Sequence, residues 1–342
     1  SGPNLFNAFL ALDDQPYTVM LDVDVTLENF GLLWGGVTLD MGVSSLTVNQ
    51  DLTIRNGTVY RMADVRPDTM VGGTLTLDNA SLLHMGRVVS TGTMILEGDE
   101  IEICNTEIDH ESRGDVHWQG PGTLSIEMEG SFTNGALSTF RISPDSHKSI
   151  SGDKTGSFTN EGVLVNGDSS RGINGITTLT DVAFFNTGTV VVEGGGLILM
   201  STNELAPNGT LSDGAWVVKN GAFLDMGGQQ ISRLGASVSL EGPNAAFGEI
   251  LGLNQVLETG RFAISDGYDF TARGSFHNAG SVTVGEGSVF DTSAGGLGNI
   301  DGQGLYGGTF DVAGSFLTGA DRIEFVGADL TLRGARAEFT GI

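Results

Sequence analysis

Hydrophobic and polar residues alternate at period two along nearly the whole chain. The pattern is clearest in residues 21–27, 124–128 and 282–284, where branched or long apolar side chains alternate with Asp, Glu, Ser or Thr. Because successive side chains of a β-strand point to opposite faces, this alternation predicts half-buried strands. A glycine lies shortly before most of these segments, and no helical pattern separates them. The sequence therefore predicts an all-β protein.

A five-residue motif, Phe-x-Asn-x-Gly, recurs along the chain. It begins at Phe158, Phe184 and Phe276, and an imperfect copy begins at Phe132, so that two consecutive steps, 132 to 158 and 158 to 184, are each 26 residues. A period in this range is typical of a chain that coils turn upon turn, because each unit can bury its apolar face only against the next. It predicts a single-stranded parallel β-helix, or β-solenoid, with roughly 13 turns of about 20–30 residues.

In a parallel β-solenoid, equivalent residues of successive turns stack at the strand spacing and form columns. The motif's phenylalanine is expected to stack in the core, its asparagine to bond its neighbours at a corner, and its glycine to form the bend before the next strand. These predicted columns comprise Phe158, Phe184 and Phe276; Asn160, Asn186 and Asn278; and Gly162, Gly188 and Gly280.

The first 30 residues differ from the remainder. They contain the longest stretch without glycine, and their beginning is apolar without period-two order. An open solenoid end exposes backbone donors and core side chains and has to be capped. We therefore predict a capping or assembly segment at 1–30 and one solenoid at 31–342, which continues further or is covered by another subunit. The predicted assembly residues are Leu5, Phe6, Phe9 and Leu10.

Composition and charge limit the classes of protein and of binding partner that fit this sequence. Glycine accounts for 53 of 342 residues without a Gly-X-Y period, which excludes collagen and fits many strands joined by tight turns. The 42 acidic and 16 basic residues give a net charge of −26. A surface of this sign repels nucleic acid and anionic membranes, and the chain has no apolar run long enough to span a membrane. The sequence therefore predicts neither a nucleic-acid partner nor membrane insertion.

The densest polar cluster lies at residues 100–118 and contains the weak metal-ligand candidates Asp109, His110, Asp115 and His117. Histidine and carboxylate ligands suit a transition metal, but their spacing matches no defined site, and we prefer to interpret the cluster as an exposed, insertion-like loop between turns. A single glycine-rich segment ending near Asp301 approaches a calcium-binding repeat, which leaves one Ca²⁺ as an open alternative. No residues form a catalytic signature, and no cofactor is expected.

The motif-led strands at 186–192 and 278–284 resemble the repeats of bacterial surface proteins, namely filamentous-haemagglutinin-like adhesins and autotransporter passenger domains. The resemblance implies a right-handed parallel β-helix, an extracellular or cell-surface location, and adhesive or scaffolding work. We therefore expect a non-enzymatic structural or adhesive protein, a rod segment or a filament subunit that associates end to end, with cell-surface glycans as a candidate partner. A polysaccharide lyase or hydrolase and a phage tail-spike shaft are the alternatives.

Overall fold

The computed structural model is an all-β parallel β-solenoid with almost no helix, as the alternation predicts. Contacts divide the chain into two compact units, one of Ser1–Gly167 with Ile173–Gly188 and the other of Asp168–Gly172 with Thr189–Ile342. The handedness implied by the resemblance stays a prediction. The structure describes residues 7–10, 16–33, 36–61, 67–111, 114–168, 175–200, 205–292, 305–306, 309–312, 315–318, 325–326, 329–332 and 336–339.

The described part of the first unit consists of short strands. Their bounds are β1 Asn7–Leu10, β2 Tyr17–Met20, β3 Val25–Leu27, β4 Asn29–Leu32, β5 Val37–Asp40, β6 Leu46–Val48, β7 Leu52–Arg55, β8 Thr58–Tyr60, β9 Thr69–Val71, β10 Leu75–Asp78, β11 Ser81–Ser90, β12 Met94–Glu97, β13 Glu100–His110, β14 Asp115–Trp118, β15 Gly122–Glu127, β16 Ser131–Asn134, β17 Thr139–Ile142, β18 Lys148–Gly152, β19 Ser157–Asn160, β20 Val163–Asn166, β21 Ile176–Thr180 and β22 Ala183–Asn186.

The described part of the second unit continues the same pattern, with one short 3₁₀ helix, Gly248–Gly252. The strands are β23 Thr189–Val192, β24 Gly196–Leu199, β25 Thr210–Leu211, β26 Ala215–Lys219, β27 Phe223–Asp225, β28 Arg233–Leu234, β29 Ser237–Glu241, β30 Ala246–Phe247, β31 Gln255–Val256, β32 Arg261–Ser265, β33 Asp269–Thr271, β34 His277–Asn278, β35 Ser281–Val284, β36 Val289–Asp291, β37 Leu305–Tyr306, β38 Thr309–Val312, β39 Ser315–Thr318, β40 Phe325–Val326, β41 Asp329–Leu332 and β42 Arg336–Phe339.

Each turn of the first unit contributes a strand to each of three faces. One face has the strand order β1-β4-β7-β10-β12-β14-β17-β20, and every neighbouring pair is parallel. The other two faces share β11 and β13, which are long enough to bend around the corner between them. Between paired residues the chain advances by 19 residues, from Leu75 to Met94, up to 29, from Lys148 to Thr177. These steps agree with the predicted turn length of about 20–30 residues.

The second unit stacks its turns in the same way. Its longest face has the order β23-β26-β29-β32-β35-β38-β41, again with parallel pairs. The other strands form shorter ladders, including β25-β28-β31-β34 and β33-β36-β39-β42. Parallel pairing follows from the coil, because every turn runs in the same direction.

The inward alternating residues form continuous apolar columns. Burying apolar surface stabilises the folded state by about 25 cal/mol per Å². Burial of these columns is therefore the main contribution that holds each turn against the next. One column on the longest face of the first unit is fully buried and passes through Leu52, Leu75, Met94, Val116, Phe140 and Leu164. Its counterpart in the second unit comprises Val190, Trp216, Val238, Phe262 and Val282.

The Phe-x-Asn-x-Gly columns take their predicted places in the first unit. The rings of Phe132 and Phe158 stack with centroids 5.3 Å apart, and those of Phe158 and Phe184 with centroids 5.9 Å apart. In the second unit, by contrast, Phe276 meets Phe290 edge to face at 5.0 Å, and the residue paired with Asn278 on the preceding turn is Val256. The third copy of the motif therefore builds a similar corner without continuing the same column.

The motif glycines are required by close backbone approach. A Cβ on Gly188 would lie 2.1 Å from the carbonyl oxygen of Gly162, and one on Gly162 would lie 2.3 Å from that of Ser138. In the second unit, a Cβ on Gly280 would lie 2.2 Å from the Leu257 carbonyl oxygen. None of the three has the positive φ of a left-handed bend. The predicted bend is present, but its glycine is needed for space between turns.

Residues 1–30 include strands of the solenoid itself. Within the described residues, β1 pairs with β4, β2 with β5, and β3 with β6. The predicted capping or assembly role of this segment stays a prediction. Among the described residues, no helix has the length and hydropathy needed to cross a membrane.

Candidate functional site

The most elaborate polar surface in the first unit lies where β11 and β13 bend. Positive φ angles occur at His84 (56°), Gly86 (74°) and Asn105 (45°), and the register between the two strands shifts at this point. Glycine adopts this region freely and asparagine tolerates it, which explains why the chain can turn here without interrupting the strand. The bend brings charged residues of consecutive turns to the same corner.

Arg87 is the centre of this corner. Its guanidinium Nε lies 2.5 Å from an oxygen of Asp109, its Nη2 contacts Glu111, and Asp68 and Glu107 lie 3.7 and 4.0 Å away. The hydrogen bond to Asp109 raises the pKa of Arg87, so that the guanidinium stays charged. Four carboxylates around one guanidinium leave a local charge of −3.

A recess of about 410 Å³ opens beside Arg87. Its lining is mostly polar and includes Asp68, Asn105, Glu107, Glu129 and Ser131. Carboxylate, amide and hydroxyl groups of this kind can bind a cation or a hydroxyl-rich ligand. A guanidinium does not release its proton in proteins, so Arg87 cannot serve as a base there. The recess has the chemistry of a binding surface.

Asp109 and His110 are adjacent in β13, but their side chains lie in different environments. Asp109 pairs with Arg87 at the corner, whereas His110 is completely buried and its Nε2 lies 3.1 Å from the carbonyl oxygen of Gly114. Burial lowers the pKa of His110 despite the opposing influence of that carbonyl and of Asp115. The structure does not bring these two predicted metal ligands together.

Asp115 and His117 lie in β14, on the longest face. The Nε2 atom of His117 is 4.0 Å from an oxygen of Asp115, and Nε of Arg141 on the next turn is 3.6 Å from the same oxygen. Asp301 lies outside the described residues. Within the described part of the chain, no group of three or more His, Cys, Asp and Glu side chains could hold a metal ion. The metal assignments stay predictions.

The second unit contains a carboxyl pair that the sequence pattern did not reveal. Glu249, in the 3₁₀ helix, is buried and accepts hydrogen bonds of 3.2 Å at Oε1 from the backbone N–H groups of Met226 and Gly228. Burial raises the pKa of Glu249, and the nearby carboxyl group of Asp225 raises it further. The two residues are 24 positions apart, one turn of the solenoid, so only stacking brings them together.

The hydrogen bonds of Glu249 join two consecutive turns. Its Oε1 atom accepts from the turn at Met226–Gly228, whereas its Oε2 atom is buried without a hydrogen-bond partner among the described residues. The bonds at Oε1 fasten the turn at Met226–Gly228 to the next one.

The predicted assembly residues divide into two groups. Leu5 and Phe6 lie outside the described residues, whereas Phe9 and Leu10 belong to β1. The side chain of Phe9 is 60% exposed and its ring covers Gly31 of the next turn, and Leu10 is half-buried. Phe9 is thus an exposed aromatic group on the first described strand.

No protein-family model, curated protein or solved structure matches the chain.

Proposed function

We propose that the chain is a structural or adhesive module of an extracellular or cell-surface protein, working as a rod segment or as a filament subunit. The stacked Phe and Asn columns support this proposal most directly, because they commit the same positions of three consecutive turns to a repeating scaffold. The similarity of the Phe-x-Asn-x-Gly turns to the repeats of filamentous-haemagglutinin-like adhesins and autotransporter passenger domains points in the same direction.

The Arg87 corner supports binding at a surface in preference to catalysis. Its guanidinium is neutralised by neighbouring carboxylates, and its recess is lined by groups that accept hydrogen bonds from hydroxyls. Cell-surface glycans are the partner class that this lining suits best, since their hydroxyl groups donate to carboxylates and amides.

The adhesive role is tested by applying the purified chain to an array of neutral and acidic glycans, with and without Ca²⁺. We expect retention on neutral glycans, weakened when Glu107→Gln and Glu129→Gln are combined at the recess. Glu258→Gln in the second unit is the matched control. Retention that is the same for all three proteins would contradict the assignment of the recess. Release of new reducing ends or unsaturated sugars would instead support the lyase or hydrolase alternative.

End-to-end association is tested separately at Phe9. Replacing an exposed aromatic group at a strand edge with serine removes apolar area that a second copy would cover. We expect Phe9→Ser to reduce filament length by electron microscopy and sedimentation, and Phe185→Ser, at a 40% exposed phenylalanine away from this strand, to leave it unchanged. Filaments that persist in Phe9→Ser would exclude this edge, and an intertwined trimer would favour the tail-spike alternative.

A further inference from the structure

The side-chain hydrogen bonds of the asparagine column in the first unit, which comprises Asn134, Asn160 and Asn186, all run in one direction. Nδ2 of Asn134 donates to Oδ1 of Asn160 at 2.7 Å, and Nδ2 of Asn160 donates to Oδ1 of Asn186 at 2.7 Å. The same Asn134 nitrogen also donates to the carbonyl oxygen of Val163 at 3.2 Å, which prevents the amide from being turned the other way. The amide nitrogens of Asn134 and Asn160 therefore point toward the following turn, and Oδ1 of Asn134 faces the preceding one.

His110 occupies the equivalent position on that preceding turn, where it is the register partner of Asn134. Both side chains are completely buried. Because the Gly114 carbonyl oxygen near Nε2 can only accept, Nε2 carries the ring hydrogen. A neutral ring with its hydrogen on Nε2 has a lone pair on Nδ1. Burial, which lowers the pKa of His110, favours this neutral form.

Two acceptors are thus left in one closed corner. Neither Nδ1 of His110 nor Oδ1 of Asn134 has a hydrogen-bond donor among the described residues, and both atoms are buried. The hydroxyl of Ser90, the register partner of His110 one turn earlier, is also buried without a partner there. Leaving a buried polar atom unsatisfied costs about 1–3 kcal/mol, so three on consecutive turns require a common explanation.

We propose that the corner at Ser90, His110 and Asn134 is a binding site for internal water, with one ordered molecule donating a hydrogen to Nδ1 of His110 and the other to Oδ1 of Asn134. Water is the smallest neutral molecule with two such hydrogens, and buried sites with two to four polar partners are those that retain it. The Ser90 hydroxyl donates to this water or to a second one beside it. This water continues the hydrogen-bonded column from Asn134 to His110 on the preceding turn.

A crystal structure of the full chain at atomic resolution tests the site directly. We expect a fully occupied water within hydrogen-bond distance of both His110 Nδ1 and Asn134 Oδ1. A well-ordered corner without water, in which protein donors satisfy both atoms, would overturn the proposal.

A variant supplies the solution test. In His110→Asn, an amide nitrogen replaces the imidazole and can donate to Oδ1 of Asn134 itself, continuing the column without water. Magnetic relaxation dispersion of the water signal should then count at least one long-lived internal water fewer than in the wild type. His84→Asn is the control, because that imidazole meets Asn105 at a partly exposed position. An equal water count in wild type and His110→Asn contradicts the site.

The wild-type protein offers a third readout that does not depend on any variant folding. Nitrogen NMR of the imidazole at neutral pH should show hydrogen on Nε2 and a hydrogen-bonded lone pair on Nδ1. Hydrogen on Nδ1, or an imidazolium ion, would mean that His110 donates to Asn134 directly and that no water is required between them.

Discussion

At the scale of single residues, the corners of the solenoid are held by side chains that bond the backbone of a neighbouring turn. Asp153 is the clearest case. One of its oxygens accepts from the Met128 N–H at 3.0 Å, and the other accepts from the N–H and hydroxyl of Thr155 at 2.9 and 2.6 Å. Met128 itself has a positive φ of 50°, so the bond fixes a strained turn.

These bonds make Asp153 a source of acid sensitivity. The Thr155 hydroxyl, with the N–H groups of Thr155 and Met128, lowers the pKa of Asp153 from 3.8 to about 2. A carboxyl group whose folded-state pKa is lowered stabilises the fold above its unfolded-state value and loses that contribution as the pH falls through the folded-state value. We expect Asp153→Asn to lower the thermal midpoint at pH 7 and to approach the wild type as the pH falls below about 2.

The control for Asp153 is Asp213→Asn, an exchange at an exposed carboxylate of the second unit. Thermal unfolding followed by circular dichroism at several pH values measures both variants. A difference between Asp153→Asn and wild type that does not change with pH would show that the carboxylate charge is irrelevant to the turn.

Glu249 should respond to pH in the opposite sense. Burial and Asp225 raise its pKa above 4.5, so the folded protein retains a proton that the unfolded chain releases. The buried carboxyl group therefore destabilises the fold as the pH rises above its unfolded-state pKa, and this loss of stability reaches its full size above its folded-state pKa. We expect Glu249→Gln, which imitates the protonated acid, to raise the unfolding midpoint at pH 8 and to equal the wild type at pH 4. A midpoint lowered equally at both pH values would contradict the raised pKa of Glu249.

At the scale of the elements, the short strands are stable because they pair with strands of the preceding turn, the following turn or both. The sequence could predict that these strands exist, since alternation places Phe158 inward and Thr159 outward without reference to the remainder of the chain. It could not predict the bend within β13, because the positive φ of Asn105 belongs to a corner whose partners lie one turn away.

The asparagine column is an element-scale interaction and can be interrupted in its middle. Asn160→Ala would leave Oδ1 of Asn186 without the amide that donates to it and Nδ2 of Asn134 without one of its two acceptors. We expect a loss of roughly 2 kcal/mol in the free energy of unfolding, within the usual range for an unsatisfied buried group. Denaturant titration measures the loss.

Thr159→Ala is the neighbouring control for the column, because it lies in the same strand with its side chain half-buried on the outer surface. Substitutions of this kind usually change stability by less than about 0.5 kcal/mol. Equal effects of the two alanine variants would mean that the amide bonds contribute nothing beyond strand propensity.

At the scale of the whole molecule, the dominant property is charge. A net charge of −26 on 342 residues produces self-repulsion among exposed carboxylates, and salt screens such repulsion over about 8 Å at physiological ionic strength. We expect the thermal midpoint at pH 7 to rise by several degrees between low salt and about 0.5 M sodium chloride. Near the isoelectric point of about 4.2, the same salt should have little effect. A midpoint that salt lowers at pH 7 would show that attractive ion pairs such as that of Arg87 outweigh the repulsion.

Sequence periodicity by itself determined the fold class, the length of a turn and the identity of the stacked Phe158, Phe184, Asn160 and Asn186, because alternation and a 26-residue repeat are local properties that stacking preserves. Only the tertiary structure decided which polar groups meet. Glu249 lies about one turn of chain from Met226, and His110 lies about one turn from Asn134. A change of one residue in turn length would place different groups opposite each other. The sequence therefore determines the scaffold, whereas the register between turns decides its chemistry.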